Sequence, residues 1–215
     1  MSLISQLSSL RAVGIAASPN GESSRSRVLL AAAVASLRDV GLKTQVVDLA
    51  QLPAEALLGR AAAPAVARAV ADVAAAHVVV VATPVYRASY AGLLKVFFDL
   101  LDEDALADKV AVPIAAGGGA GHLLAIDHGL RPLLSSLGAT VVPGGVYATP
   151  SGFVDGIPSE ALLQRIDRAV MEAVSLTAAT VARIENQPIS HGLAHPFGHP
   201  FAHPSERQVR HARAS

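Results

Sequence analysis

The sequence contains no cysteine and no tryptophan, and only 4% of its 215 residues are aromatic. Without cysteine, the chain has no disulfide bond, no thiolate metal centre and no thiol nucleophile. Any redox chemistry therefore requires a bound cofactor. The lack of disulfides is compatible with a reducing compartment, and we expect a cytoplasmic protein.

A net charge is also lacking, because 17 basic and 17 acidic side chains cancel. No global field attracts nucleic acid or anionic lipid, so an anion must meet a local site. The longest apolar runs, such as 78–82 and 110–116, are far shorter than the roughly 20 residues that span a bilayer. The N-terminus has no basic stretch of the kind that starts a signal peptide. We expect neither nucleic acid nor a membrane as a partner.

Hydrophobic residues make up 52% of the chain, enough for one sizeable core. Short apolar runs alternate with helical patterns, and the run 78–82 has no polar alternation, which is typical of a central parallel strand. This alternation predicts a doubly wound α/β sheet. The predicted strands are 13–17, 45–49, 77–82, 110–115 and 140–146. The predicted helices are 26–37, 65–76, 93–101, 122–137 and 159–185.

The pattern ends after residue 185, where His-Pro dipeptides recur and proline prevents regular structure. We predict an N-terminal extension over 1–10, one domain over 11–185 and a disordered tail over 186–215. Imidazoles bind metals, but proline follows three of the four spaced histidines and prevents a helix that would align them. We therefore predict no metal site in this chain. The four histidines are His191, His195, His199 and His203.

In an open parallel sheet, ligands bind beyond the carboxyl ends of the strands, so the loops after strands one, three and four matter most. The first loop, 18–26, runs into a helix start and offers hydroxyls, one guanidinium and free backbone N–H groups. This combination suits a phosphate. The loop lacks the Gly-Lys-Ser/Thr of nucleotide triphosphate sites and the G-x-G-x-x-G of dinucleotide sites. Alternatively, Ser24 or Ser26 caps the helix, and the two roles can coexist.

The other two loops suit a flat ring. In 83–90, Pro84 is expected to stiffen a turn, backbone amides can meet polar ring edges, and Tyr86 supplies a stacking face. In 117–121, consecutive glycines allow a planar ligand to approach the backbone. One phosphate site and two ring-edge loops on the same rim fit flavin mononucleotide, FMN, best.

Two segments carry a family resemblance: ATPVYRASYAGLLKVFFDLL (82–101) and GGGAGHLLAIDHGLRPLLSSLGA (117–139). They are similar to the NADPH-dependent FMN reductases of two-component monooxygenase systems, of the alkanesulfonate-utilisation type. The loop SPNGESSRS (18–26) corresponds to the phosphate loop of that family, although it is one residue longer and has Asn20 where the family usually has arginine. The resemblance implies a flavodoxin-like fold, with a five-stranded parallel sheet in the order 2-1-3-4-5.

The resemblance also implies site residues. Those expected to hold the FMN phosphate are Ser18, Ser24, Arg25 and Ser26. Those expected to line the isoalloxazine ring are Thr83, Pro84, Val85, Tyr86, Arg87, Gly117, Gly118 and Gly119. Tyr90 matches an inserted tyrosine that opens a π-bulge in the following helix and acts in flavin transfer; a tyrosine merely packed at a helix start is the alternative.

The implied activity is hydride transfer from NADPH to FMN, with release of FMNH2 to a partner monooxygenase, in a sulfonate-type sulfur assimilation. Hydride passes between stacked rings, so no acid or base residue is expected. Two alternatives stay open: a tightly bound FMN that reduces quinones, azo compounds or metal ions, and a flavodoxin-type electron carrier. The family further implies a homodimer or homotetramer.

Several polar residues remain ambiguous in the sequence. His122 either reaches the flavin edge, or caps the helix or is exposed, and Arg87 either contacts an NADPH phosphate or faces solvent. Lys95 and Asp99 have the spacing of a helix-surface ion pair. His77 precedes the third strand, at the edge of the sheet opposite to the ligand loops.

Overall fold

A computed structural model describes residues 7–186 of the chain. The strands are β1 (Arg11–Ala16), β2 (Lys43–Asp48), β3 (Val78–Tyr86), β4 (Ser89–Tyr90), β5 (Val110–Ala116), β6 (Thr140–Val141), β7 (Val146–Ala148), β8 (Phe153–Val154) and β9 (Ile157–Pro158). The α-helices are α1 (Arg25–Asp39), α2 (Ala54–Leu57), α3 (Pro64–Ala75), α4 (Gly92–Phe98), α5 (Arg131–Ser136) and α6 (Glu160–Asn186).

The main sheet has the order β2-β1-β3-β5, followed by β6 and β7, which both pair with β5. These strands are parallel, and Val80 of β3 lies between Gly14 of β1 and Val112 of β5. Counting β6 and β7 as one interrupted strand, the predicted order 2-1-3-4-5 is confirmed. The central run 78–82 is buried on both faces, as its lack of polar alternation predicts.

Each face of the sheet has its own core. Val78 and Val80 point towards a core that includes α1 and α6, whereas Val79 and Val81 point towards one that includes α3, α4 and α5. Successive side chains of a strand point to opposite faces, so one apolar run supplies both cores. The fold is therefore the doubly wound, flavodoxin-like arrangement that the sequence predicts.

The fifth strand is not the continuous strand 140–146 of the prediction. The carbonyl of Ala111 accepts a hydrogen bond from Val142 N–H (3.0 Å), and Pro113, two residues further along β5, faces the same neighbour. Proline has no N–H to donate to that neighbour. The ladder stops at Val141 and resumes at Val146, opposite Ile114.

The predicted helix 122–137 is also interrupted. A 3₁₀-helix (Ala120–Ala125) leads into a π-helical turn (Ile126–Leu130), and only then does α5 begin. Pro132 accounts for the π-helical turn directly before α5, because it cannot donate the bond to residue 128 that an α-helix requires. The short elements α2, β4, β8 and β9 have no counterpart among the predicted elements.

The chain divides into two compact units, Met1–Ala182 and Arg183–Ser215. The structure describes 183–186 of the second unit, as the last residues of α6. The predicted boundaries of the extension, domain and tail stay predictions, and the four tail histidines lie outside the described residues. Within 7–186, no helix has the length and apolar character needed to cross a membrane.

Candidate functional site

A cavity of about 420 Å³ lies beyond the carboxyl ends of β1, β3 and β5. It brings together the three predicted loops and adds one residue from the β8–β9 hairpin. The phosphate-loop side is lined by Asn20, Ser23, Ser24, Arg25 and Val28. The ring side is lined by Pro84, Val85, Tyr86, Ala116, Gly117 and Gly118, and the hairpin contributes Gly156.

The start of α1 is open to a ligand. Ser24 is the N-cap residue, but its hydroxyl makes no capping hydrogen bond. Instead, its Oγ lies 2.9 Å from Oγ of Ser26, which is only 1% exposed. The capping alternative is therefore wrong for the Ser24 side chain, and the N–H groups of the first turn keep the anion-binding character of a free helix start.

Ser18 holds the backbone of the phosphate loop 18–26. Its buried hydroxyl accepts a hydrogen bond from Asn20 N–H (3.2 Å). The Asn20 side-chain Nδ2 in turn donates to the Tyr86 hydroxyl (3.4 Å). Asn20 thus links the phosphate loop to the ring loop across the cavity.

Arg25 is the single charged side chain among the described residues that line the cavity. Its guanidinium lies 5.9 Å from the centre of the Phe153 ring. Within residues 7–186 it makes no ion pair, whereas Arg27 pairs with Glu22 at 3.1 Å. The positive charge of Arg25 is therefore available to an anion.

Residues 83–90, predicted to be a loop that contacts the flavin ring, form a β-hairpin. Pro84 lies inside β3, paired with Ala116, so the prediction that it stiffens a turn is wrong. The turn is at Arg87 and Ala88, which both have positive φ (51° and 63°). The buried Thr83 holds the hairpin, because its Oγ1 accepts from Ala91 N–H (2.9 Å) and donates to the Pro84 carbonyl (3.0 Å).

The glycine loop rests on Tyr147, a residue that the sequence reasoning missed. The Tyr147 hydroxyl donates to the Gly119 carbonyl (2.6 Å), and a Cβ on Gly117 would lie 2.0 Å from that hydroxyl. Burial raises the pKa of the Tyr147 phenol, so the phenol stays a donor. A Cβ on Gly118 would meet nothing within 4 Å. Gly117 is thus needed for packing, and Gly118 leaves open space beside the cavity.

Tyr90 lies in β4, opposite Val85. The helix that follows it, α4, is α-helical over its whole length, so the predicted π-bulge in that helix is wrong. The π-helical turn occurs later, at Ile126–Leu130, and its Gly129 packs against the Tyr90 ring (3.3 Å from a Cβ built on Gly129).

The remaining ambiguous residues lie at the surface. His122 and Arg87 are exposed and neither is among the residues lining the cavity. Lys95 donates to Asp99 on the surface of α4, which confirms the predicted ion pair. At the opposite edge of the sheet, His77 accepts a hydrogen bond from Arg11 N–H at Nδ1 (3.2 Å). Burial and the charges of Lys109 and Arg11 lower the pKa of His77.

Comparisons with known proteins agree with this geometry. The family profile described as NADPH-dependent FMN reductase matches residues 10–153. The chain is 36% identical over 184 residues to the FMN reductase (NADPH) of Pseudomonas putida, covering 84% of this chain and 92% of that protein. It is 41% identical over 158 residues to the NADH-dependent FMN reductase SfnF of Pseudomonas fluorescens, covering 71% of this chain and 84% of that protein.

Solved structures give the same result. The apo form of an NADH:FMN oxidoreductase (EMOB) superposes with a TM-score of 0.71 at 32% identity, covering 87% of this chain and 97% of that one. An archaeal flavodoxin superposes with a TM-score of 0.55 at 11% identity, covering 79% of this chain and 99% of that one. The second likeness supports the fold alone.

Proposed function

The chain belongs to the NADPH-dependent FMN reductase family, and from that premise we propose that it hands reduced FMN to a separate monooxygenase. It is an NAD(P)H-dependent FMN reductase, with FMN and NAD(P)H as its small-molecule substrates. The proposal concerns the fate of the reduced flavin, the residues that hold it and the partner that accepts it.

The single charge in the cavity lining carries the proposal. A phosphate dianion would meet one guanidinium, that of Arg25, beside the neutral Ser24 and Ser26 and the N–H groups of α1. Such a set fits the FMN phosphate but leaves much of its charge without an ionic partner. We infer that FMN binds reversibly, as a substrate that leaves must do.

The ring side fits an isoalloxazine. Gly118 adds no side chain next to the cavity, and the exposed Tyr86 ring stands at its mouth. The buried Thr83 and Tyr147 fix the backbone on either side. Bound FMN would supply the hydride acceptor, and the role of these residues is to orient the ring and exclude water from one face.

Tyr90 is proposed to act in flavin transfer, through its contact with Gly129 of the π-helical turn. Such turns are often found at functional sites. The resemblance of residues 82–101 to the alkanesulfonate-type reductases supports an FMNH2-dependent monooxygenase of sulfonate-type sulfur assimilation as the acceptor.

The experiment is to purify the protein, remove flavin by dialysis and follow NADPH oxidation with and without added FMN. We expect oxidation to depend on added FMN and the product to support turnover of a flavin-dependent sulfonate monooxygenase. Stoichiometric yellow protein after dialysis, with activity independent of added FMN, would favour the alternative of a tightly bound FMN that reduces quinones, azo compounds or metal ions. If the protein oxidises no NADPH even with added FMN, the result would favour the alternative of a flavodoxin-type electron carrier.

Deleting Tyr90 tests its role separately. We expect tighter retention of flavin and slower transfer to the monooxygenase, with NADPH oxidation less affected.

A cytoplasmic location and a homodimer or homotetramer are also proposed. Size-exclusion chromatography at several FMN concentrations measures the assembly.

A further inference from the structure

FMN differs from riboflavin only by its phosphate, so a preference of the cavity for FMN must come from contacts with that phosphate. The phosphate carries about two negative charges near neutral pH. Among the described residues, Arg25 is the single charged one in the cavity lining, so its guanidinium is the ionic contact that these residues offer to the phosphate.

Arg25 needs a support, because a long side chain loses considerable rotamer entropy when it is fixed. Within the described residues, its ring contact with Phe153 is the one interaction found for its guanidinium. A carboxylate in the place of this ring would also fix Arg25, but it would neutralise the charge that the phosphate needs. The face of an aromatic ring attracts a guanidinium and carries no net charge.

Phe153 is itself held by the β8–β9 hairpin. Its ring is partly buried and packs against the core that includes α1 and α6, and its backbone pairs with Pro158. On the other face of the hairpin, Val154 and Ile157 are both 68% exposed. The tip of the hairpin, Gly156, lines the same cavity as Arg25. The hairpin thus reaches the cavity and carries the ring that supports Arg25.

We propose that Phe153 is a positioning residue that sets the preference for FMN over riboflavin, by holding the Arg25 guanidinium at the phosphate side of the cavity. This inference rests on the proposed function, in which Arg25 binds the FMN phosphate. It adds a selectivity determinant at the very end of the family match, which covers residues 10–153.

The experiment measures dissociation constants for FMN and for riboflavin, by quenching of flavin fluorescence, in the full-length protein and its variants. For Phe153→Leu we expect FMN binding to weaken about 2- to 5-fold, the range of an exposed cation–π contact, and riboflavin binding to stay unchanged. Phe153→Tyr keeps an aromatic face and should restore FMN binding. Ile157→Thr, on the exposed face of the same hairpin, is the matched control and should change neither constant.

A second arm uses Arg25→Gln, which should weaken FMN binding more than Phe153→Leu does. On that background, Phe153→Leu should cause no further loss, because the ring acts through the guanidinium. Equal weakening of both flavins by Phe153→Leu, additive losses in the double variant, or the same loss in Ile157→Thr would each overturn the inference. If Arg25→Gln leaves the FMN to riboflavin ratio unchanged, the phosphate site of the proposed function fails instead.

Discussion

The cavity is built from two regions that contribute to ligand binding in different ways. The front region, 18–26, 83–90 and 117–119, presents hydroxyls, a guanidinium and bare backbone towards the ligand space. The rear region, 147–156, contributes mainly from behind: Tyr147 fixes the glycine loop and Phe153 supports Arg25. Ligand chemistry constrains the front, whereas packing against the front constrains the rear. A change in either region should therefore affect FMN binding, but by different routes.

Among the substitutions that test this difference, the largest effect is expected at Gly117. In Gly117→Ala, the new Cβ would lie 2.0 Å from the Tyr147 hydroxyl, and such overpacking typically costs about 1–3 kcal/mol. We expect kcat/KM for FMN to fall about 10- to 100-fold, measured by NADPH oxidation. The matched control is Gly121→Ala, in the same loop but outside the cavity lining, where a Cβ meets nothing within 4 Å; equal losses in both variants would contradict a packing role for Tyr147.

A smaller effect on FMN binding is expected for a substitution of Tyr147 itself. Tyr147→Phe removes the hydrogen bond to the Gly119 carbonyl, and an acceptor that loses its partner costs about 1–3 kcal/mol when buried. We expect FMN affinity to fall about 5-fold and Tm to drop by a few degrees. The comparison is with Tyr86→Phe, which removes a longer, exposed bond from Asn20 (3.4 Å) and should cost less. A larger loss of FMN affinity in Tyr86→Phe than in Tyr147→Phe would contradict the supporting role of Tyr147.

The front region can be strengthened at Asn20. Asn20→Arg introduces the residue that the resembled family usually has and adds a second cation beside the lone Arg25. We expect FMN binding to tighten about 3-fold, with a steeper dependence on salt because the added contact is ionic. Riboflavin binding should not change. A gain for both flavins would show that the new side chain acts on the ring side.

The smallest effect concerns a residue outside both regions. The folded-state pKa of His77 lies below its usual value near 6.5, so the unfolded chain binds the proton more readily. Stability is therefore full above about pH 6.5 and falls as the pH drops below it. We expect a loss of about 1–3 °C in Tm between pH 7.5 and 5.5. His77→Asn, which keeps an acceptor for Arg11 N–H, should reduce this pH dependence without changing FMN affinity at pH 7.5.

Much of this architecture is readable in the sequence. The run 78–82 is apolar at every position, and a run of this kind predicts a central strand with helices on both faces. The strand order and the three ligand loops follow from the alternation of elements and the resemblance, since parallel strands deliver their carboxyl ends to one edge. This logic needs no knowledge of individual side-chain contacts.

The rear region is not readable in the same way. β7 has three residues and β8 and β9 have two each, too short for a periodic pattern to develop. The contact of Tyr147 with Gly119 and that of Arg25 with Phe153 join residues 28 and 128 positions apart along the chain, and no local pattern predicts such pairs. Pro132 and Pro113 do leave a signal, because each proline removes a donor inside a predicted element. The predicted helix is interrupted just before Pro132, and the strand next to Pro113 is interrupted opposite it.

The interruption of the fifth strand has a consequence for self-association. Edge strands expose backbone groups that can pair with a strand of another molecule. Here Arg131 donates to the carbonyls of Val142 and Pro143 between β6 and β7, and the ladder is broken into pieces of two and three residues. This border of the sheet thus offers an incoming strand only a short, broken template, and we expect it to disfavour edge-to-edge pairing between copies of the chain.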